Sequence, residues 1–269
     1  MLSSKKPTKG ARVIFAACLL CLGLLCSVPA ALAQPQEDAA KSILQAMSDY
    51  MSKLKTIELT FDSSIEIITP QLEKIQFNSS GELLLSRPNR LWAHRVSGHA
   101  DVTMFVDGKT VTVYGKRANG YAQFAFGGTL DQLIASLRAG RGVALPGADL
   151  LVADPYAALA AGVLEAKYLG TGIVDGVSCE HLAFRNFDTD WQLWVQAGDQ
   201  PIPRKLVITS KTMNCAPQHT IHVKSFKGGV KPKAGAFTFV PPAGATQLEP
   251  EALIELDELP NQRPQGAKK

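Results

Sequence analysis

Between Gly81 and Tyr114 the chain reads GELLLSRPNRLWAHRVSGHADVTMFVDGKTVTVY, a series of short strand-forming runs broken by turn residues. Leu83 and Leu85 flank Leu84 before Arg87-Pro88-Asn89 interrupts the ladder. Leu91–Val96 forms a second run, Val102, Met104 and Val106 mark a third, and Val111 and Val113 carry a fourth. Asp107-Gly108 is a strong hairpin signal, with positive φ expected at both positions. Antiparallel strands of this kind each present one apolar face that must be covered. What covers it constrains both fold and function.

The N-terminus has the form of a secretory signal peptide. Lys5, Lys6, Lys9 and Arg12 precede an apolar run from Val13 to Val28, and Ala31-Leu32-Ala33 places cleavage after Ala33. A membrane anchor, the alternative, needs roughly 20 apolar residues, and this run is shorter. A lipid-modified cysteine fits less well, since leucines precede Cys21 and Cys26 and Cys18 comes very early. Of 28 basic and 24 acidic residues the leader takes four basic and no acidic ones, leaving 24 of each. A balanced chain offers no electrostatic footprint for nucleic acid or anionic membranes. Of five cysteines only Cys179 and Cys215 remain after export, an even number that predicts one disulfide. A metal or redox pair is the alternative, and no Cys-x-x-Cys or His-rich spacing supports it.

The exported residues read as one domain, 34–248, followed by a Pro-rich acidic tail, 249–269. Ala40, Ile43, Leu44, Met47, Tyr50, Met51 and Leu54 recur at helical spacing, with Glu37 and Asp38 at the start and Lys53 and Lys55 at the end. From Thr56 the period becomes two: Ile57, Leu59, Phe61, Ile65 and Ile67 alternate with polar residues up to Thr69-Pro70, and Lys74–Ser86 pairs back. Tyr121–Phe126 adds a strand after the meander. Thr129 and Gln132 form a capping box for a helix carrying Leu130, Leu133, Ile134 and Leu137 to about Arg138. Val143–Leu164 is nearly all apolar, with a hinge at Leu145-Pro146-Gly147 and a helix start at Asp154-Pro155. Pro146, Asp149, Asp154 and Pro155 argue against a membrane span. The stretch reads either as a buried helix pair or as a lid over the sheet's apolar face. Strands are then expected at Glu165–Gly170, Val177–Phe184, Trp191–Gln196, Arg204–Thr209, Thr220–Phe226 and Phe237–Val240. The fold class is α+β, with a single curved, largely antiparallel sheet.

Gly81-Glu-Leu-Leu-Leu-Ser-Arg-Pro-Asn, Trp92 soon after, the Val-Asp-Gly-Lys-Thr run ending in Tyr114, and the late Phe237-Thr-Phe-Val-Pro-Pro follow a shared order. In that order the chain resembles the LolA-like lipoprotein-carrier superfamily of the bacterial periplasm. Asp175-Gly-Val-x-Cys-x-His-Leu-Ala-Phe, with Asp-Trp-Gln and Pro-x-Pro-Arg-Lys after it, is more similar to a sister family of uncharacterised predicted periplasmic proteins. The resemblance implies an incomplete β-barrel wrapped on a long helix, with short helices lidding a cavity for acyl chains. It also implies that Arg87 helps the lid open and close; solvating a strand end is the other role open to that side chain.

Enzyme signatures fail one by one. Asp107-Gly108-Lys109-Thr110 mimics the end of a P-loop, but Thr103 stands where its first glycine is required. His219 and His222, three apart on a strand, point to opposite faces, and Cys179 is assigned to the disulfide although it shares a face with His181. Asp188 and Asp190 beside Trp191 resemble a carboxylate pair, yet a solvated turn explains them as well. His94 and His99 read as satisfied strand histidines. No catalytic residue, metal or cofactor is expected. What remains is apolar surface, some of it ordinary core and some able to line a pocket: Phe61, Leu83, Leu85, Trp92, Met104, Phe124, Phe126, Leu133, Leu137, Leu150, Leu151 and Trp191. With Arg87, the ligand-binding candidates among these are Phe61, Leu83, Leu85, Trp92, Leu133, Leu137, Leu150, Leu151 and Trp191. The expected function is binding of a lipid, lipoprotein acyl chain or other hydrophobic ligand in the periplasm. The alternative is a periplasmic sensor or scaffold that binds a membrane-associated protein partner.

Overall fold

The computed structural model describes residues 33–141 and 145–249. The expected leader up to Leu32, Val143-Ala144 of the expected lid, and the tail from residue 250 onward lie outside them. The chain opens on helix α1 (Ala33–Lys53) and then runs through six strands: β1 (Thr56–Ile68), β2 (Lys74–Ser86), β3 (Arg90–Ser97), β4 (Asp101–Val106), β5 (Thr110–Gly115) and β6 (Gly120–Ala125). Helix α2 (Leu130–Arg141), a single 3-10 turn at Ala148–Leu150 and the short helix α3 (Pro155–Ala160) interrupt the strands. Five more follow, β7 (Glu165–Val174), β8 (Val177–Arg185), β9 (Thr189–Gln196), β10 (Pro203–Ser210) and β11 (Gln218–Gly228), before a last short β12 (Thr246–Leu248).

All twelve strands belong to one sheet, in the order β12-β6-β5-β4-β3-β2-β1-β11-β10-β9-β8-β7. Every pairing is antiparallel except β12 on β6. The first six strands march away from β1 on one side and the last five march back to it on the other. The two long central strands β1 and β2, 13 residues each, therefore join two meanders into one open sheet. Its ends, β12 and β7, do not pair with each other, which makes the barrel incomplete.

Strand alternation puts one face inward. Ile57 and Leu59 of β1, Leu83 and Leu85 of β2, Val106, Val111, Leu182, Phe184, Leu193, Val195, Leu206 and Val223 point to a common core. From the helices, Ala40, Leu44, Met47 and Met51 of α1 and Leu130, Leu133 and Leu137 of α2 fill the same space. Helix α1 lies along β7, beside β8, β9 and α3. The capping box forms as expected: the Thr129 amide donates to Gln132 Oε1 at 2.9 Å and the Gln132 amide to Thr129 Oγ1 at 3.3 Å. Asp154 caps α3, accepting from the Ala157 amide at 2.9 Å with Pro155 in the first turn.

Several expectations are corrected. At Asp107-Gly108 only the glycine has positive φ, +98°; Asp107 Oδ1 instead accepts from the amides of Lys109 and Thr110, both at 2.8 Å. Both φ angles are positive at Asp175-Gly176, +49° and +77°, between β7 and β8, and at Cys215-Ala216, +60° and +43°. Phe237–Val240 is not a strand: Thr238 N closes a turn on Gly235 O, and Pro241-Pro242 supply no amide donors to extend a ladder. Phe239 packs instead against Phe105, Tyr114 and Tyr121, with ring centroids 5.0–5.6 Å apart.

The expected disulfide is absent, and Cys179 and Cys215 are free thiols. Cys179 pairs with Gln196, at the Pro203 end of the β8–β9–β10 ladder, whereas Cys215 follows Ser210 at the other end. At ~3.3 Å per residue the two ends lie roughly 20 Å apart, far beyond the ~7 Å limit between bridged Cα atoms. Parity alone misled, because it carries no information about which end of a strand a cysteine occupies. Cys215 is exposed, while Cys179 is fully buried and its thiol is pushed up by that burial. Ellman's reagent should therefore titrate one thiol quickly in the native protein and the second only in denaturant, with Cys215→Ser removing the fast phase. Absence of titratable thiol in the unfolded, unreduced protein would contradict the structure.

Candidate functional site

The inner face of the sheet divides into two zones. Over most of its area it is closed. Leu83, Leu85, Leu133, Leu137, Leu150 and Trp191, six of the expected ligand-binding residues, are all in the buried cluster. Phe61 and Leu151 pack against it half-buried. The Phe61 ring lies across Gly81, where a Cβ would meet its tip at 2.4 Å, so this strand crossing needs glycine. Trp191 stacks on Phe184 with ring centroids 3.9 Å apart, and its indole N–H donates to Asn186 Oδ1 at 2.9 Å. The closed zone is filled by side chains of α1, α2 and Leu150, so these residues are core as the protein stands.

Trp92 is a correction. Leu91 and Ala93 on either side of it pack on the core, so alternation sends Trp92 to the outer face, opposite Leu84 and Phe105. It lies beside His94, 6.2 Å between centroids, and lines no interior surface.

Above the closed zone lies a polar seam. Helix α2 begins on Pro88, whose carbonyl accepts from the Leu130 amide at 2.9 Å. The segment 145–164, here termed the strap, is bonded to α2, and its helix α3 packs against α1. Arg138 donates to Asp149 Oδ1 and Oδ2 at 2.7 and 3.0 Å and to the Leu145 carbonyl at 3.1 Å. Both Asp131 carboxylate oxygens accept from the Ala153 amide at 3.1 Å. Gly147 sits so close to the sheet that a Cβ would meet Ile221 Cδ1 at 2.5 Å, and its φ of +78° independently favours glycine. At the far end Asn186 Nδ2 donates to Ala161 O at 3.1 Å.

Arg87 is turned toward the α1–β1 connection. Its Nε donates to Leu54 O at 3.2 Å and its amide to Lys55 O at 2.8 Å, while Nη2 is buried with no hydrogen-bond partner. Burial holds its pKa below the ordinary arginine value, partly offset by the nearby charge of Asp131 on α2. One guanidinium thus stands between the end of α1 and the start of α2.

Toward one end of the strands the inner face turns polar, a change not singled out from sequence. On β1 the inward series runs Leu59, Phe61, Ser63, Ile65; on β2, Leu83, Gly81, Ser79, Phe77; on β11, Val223, Ile221, His219. Ser63 and Ser79 face each other at 2.7 Å between hydroxyls. A cavity of about 180 Å³ opens here, lined by Ser63, Ile65, Phe77, Ser79, Ser97 and His219 among others. The Nδ1 of His219 is buried without a partner. Burial, helped by the charge of Arg95, lowers its pKa from 6.5 to about 4. The available clue was the break in apolar alternation at Ser63, Ser79 and His219 on neighbouring strands.

The remaining titratable candidates separate. His222 lies 3.1 Å from Asp175, on the opposite face from His219. His94 is paired with Asp101 at 2.9 Å, and His99 packs edge-on against Phe77. Asp190 is held by Arg185 at 3.2 Å and Lys211 at 3.1 Å; slight burial pushes its pKa up, but these cations outweigh it and the net shift is downward. The Asp188 backbone carbonyl accepts from the Lys211 amide, so the two aspartates serve a turn. Among the described residues no three His, Cys, Asp or Glu side chains are grouped to hold a metal ion.

Two outcomes are expected. Leu133→Ala should cost about 2–5 kcal/mol in urea denaturation; a loss under about 1 kcal/mol would mean that α2 is not part of the core. The unfolded chain protonates His219 near pH 6.5 and the folded one only near 4, so stability should fall as pH drops through that window. The full loss is about 3 kcal/mol, and His219→Gln should flatten this part of the profile. Equal slopes in the two proteins would contradict the burial of His219.

The matching family model, described as "Predicted periplasmic protein (DUF2092)", spans residues 40–249. No curated protein matches the chain. Among solved structures, it is similar to an uncharacterized conserved protein from Thermus thermophilus, with 11% identity over 78% of this chain and 99% of that one and a TM-score of 0.45. It is similar also to the Mycobacterium tuberculosis lipoprotein LppX, with 11% identity over 72% of this chain and 98% of that one and a TM-score of 0.42. A LolA superfamily protein from Nitrosomonas europaea shares 11% identity over 74% of this chain and 97% of that one, with a TM-score of 0.36. The family model covers well over half of the chain, and the chain belongs to the DUF2092 family of predicted periplasmic proteins.

Proposed function

We propose that the protein binds the hydrocarbon chain of a lipid or lipoprotein in the periplasm, admitting it between the sheet and a lid made of α2 and the strap. The observation that supports this most directly is how the lid is bonded. Arg138–Asp149, Arg138–Leu145 and Asp131–Ala153 tie α2 to the strap. Contacts of the pair with the sheet are apolar, through Leu133, Leu137, Leu150 and Gly147, with hydrogen bonds at the ends on Pro88, Arg185 and Asn186. Such a pair can lift as one body without leaving buried polar groups unpaired.

Magnitudes are compatible with reversible opening. Exposing Leu133, Leu137 and Leu150 costs about 1.5–3 kcal/mol each. Burying hydrocarbon returns about 0.8 kcal/mol per methylene, so a chain of roughly a dozen carbons offsets that cost. In the structure Leu133, Leu137 and Leu150 pack into the core cluster. Arg87, between the end of α1 and Asp131 of α2, is placed to bias that movement. The expected leader accounts for export.

A second reading, docking of a protein partner, has one observation behind it. Strand β7 is the last strand on its side of the sheet, with Leu169 and Ile173 exposed on it, Leu164 exposed just before it and Phe187 exposed in the β8–β9 turn.

Delipidated protein should take up cis-parinaric acid with a rise in fluorescence. Asp149→Asn, which loosens the lid at a partly exposed ion pair of about 0–1 kcal/mol, should speed uptake with little change in melting temperature. Leu137→Asn should weaken it. Failure of the native protein to take up the probe would overturn the proposal, and β7 would then be the surface to pursue.

A further inference from the structure

We infer that the cavity around His219 is a head-group site for a monocarboxylate, holding the acid end of a fatty acid whose tail runs under the lid. This rests on the hydrocarbon-binding reading and adds to it the ligand class and its orientation.

Position comes first. Ile65 pairs with His219, Ser63 with Ile221 and Phe61 with Val223 across β1 and β11. Ser63 pairs with Ser79 and Phe61 with Gly81 across β1 and β2. On all three strands the path from the cavity to the closed core is two to four residues along one face, roughly 7–14 Å at ~3.4 Å per residue. It passes first Ile221, the side chain on which Gly147 of the strap rests, and then Phe61. A chain entering with its head in the cavity thus meets the lid where Gly147 rests on Ile221.

Chemistry comes second. Donors converge on the cavity, and no Asp or Glu lines it. Of the Ser63–Ser79 hydroxyl pair, one hydrogen serves the mutual bond and the other is left to donate. Ser97 Oγ accepts from the amides of His99 and Ala100, at 3.1 and 2.9 Å, and retains its own hydrogen. His219 contributes a buried Nδ1 with no partner, a costly arrangement unless a ligand completes it. Arg95 faces inward on β3, and its positive charge reaches the same spot. Ile65 and Phe77 give apolar walls for the first methylenes. A space of about 180 Å³ holds a carboxylate with a short piece of chain, and is too small for a nucleotide.

Calorimetric titration of the delipidated full protein with laurate and with methyl laurate tests this. The native protein should bind laurate about tenfold or more tightly than the ester, the difference expected of a charge-assisted hydrogen bond. His219→Leu should lose that preference while binding the ester as before, and His219→Gln, which retains a donor, should keep part of it. Equal binding of acid and ester by the native protein, or an unchanged preference in His219→Leu, would overturn the head-group site and leave hydrocarbon binding standing. If neither probe binds the native protein, the hydrocarbon-binding reading fails, and this inference with it.

Discussion

The structure depends on one constraint: a twelve-stranded open sheet whose inner face is apolar over much of its area must have that face covered. In a closed barrel the strands would cover one another. Here β12 and β7 stay apart, and helices do the covering. Helix α1 presents Ala40, Leu44, Met47 and Met51 at helical spacing, all at most 1% exposed, to the half of the sheet that ends in β7. Helix α2 and Leu150 add a further layer. The cover is assembled from separate pieces, and only some are continuous with the sheet through short loops. That sets up an unequal distribution of stability, since a piece held by apolar contact lifts more easily than a strand held by two ladders.

Sheet and lid differ in how their polar groups are satisfied. The central strands β1 and β2 have neighbours on both sides and exchange backbone hydrogen bonds along their length. The strap spends its hydrogen bonds on α2 and on its own turns, and meets the sheet through hydrogen bonds only at its far end, on Arg185 and Asn186. The inner face likewise changes character along the strands, from Leu59 and Leu83 to Ser63, Ser79 and His219. One surface therefore offers a hydrocarbon-compatible zone beside a donor-rich one, which suits an amphiphile better than a purely apolar or purely polar ligand.

Much of this was legible in the sequence, for identifiable reasons. Period-two alternation located β1 through β5 and most of β7 through β11, because one-sided burial forces it. Thr129/Gln132 and Asp154-Pro155 marked helix starts through side-chain caps that act locally. What failed depended on non-local geometry. Trp92 looked like a pocket residue by size, but its parity relative to Leu91 and Ala93 sends it outward. Cys179 and Cys215 looked like a pair by number and sit at opposite ends of a ladder. Phe237–Val240 had strand composition, yet two prolines follow it and the pairing passes to Thr246–Leu248, parallel to β6. The polar cavity went unread because serines and a histidine on separate strands become a site only once register sets Ser63 opposite Ser79 and His219 opposite Ile65.

The central claim is that α2 and the strap form a lid that lifts apart from the sheet. Native-state hydrogen exchange with residue resolution tests it most directly. The account predicts that amides of Leu133, Leu137, Leu151 and Ala157 exchange through a shared opening well below the global unfolding free energy, while Leu59, Leu83 and Val223 exchange only by global unfolding. Lid amides that share the protection of β1 and β2, with one common opening energy, would contradict it.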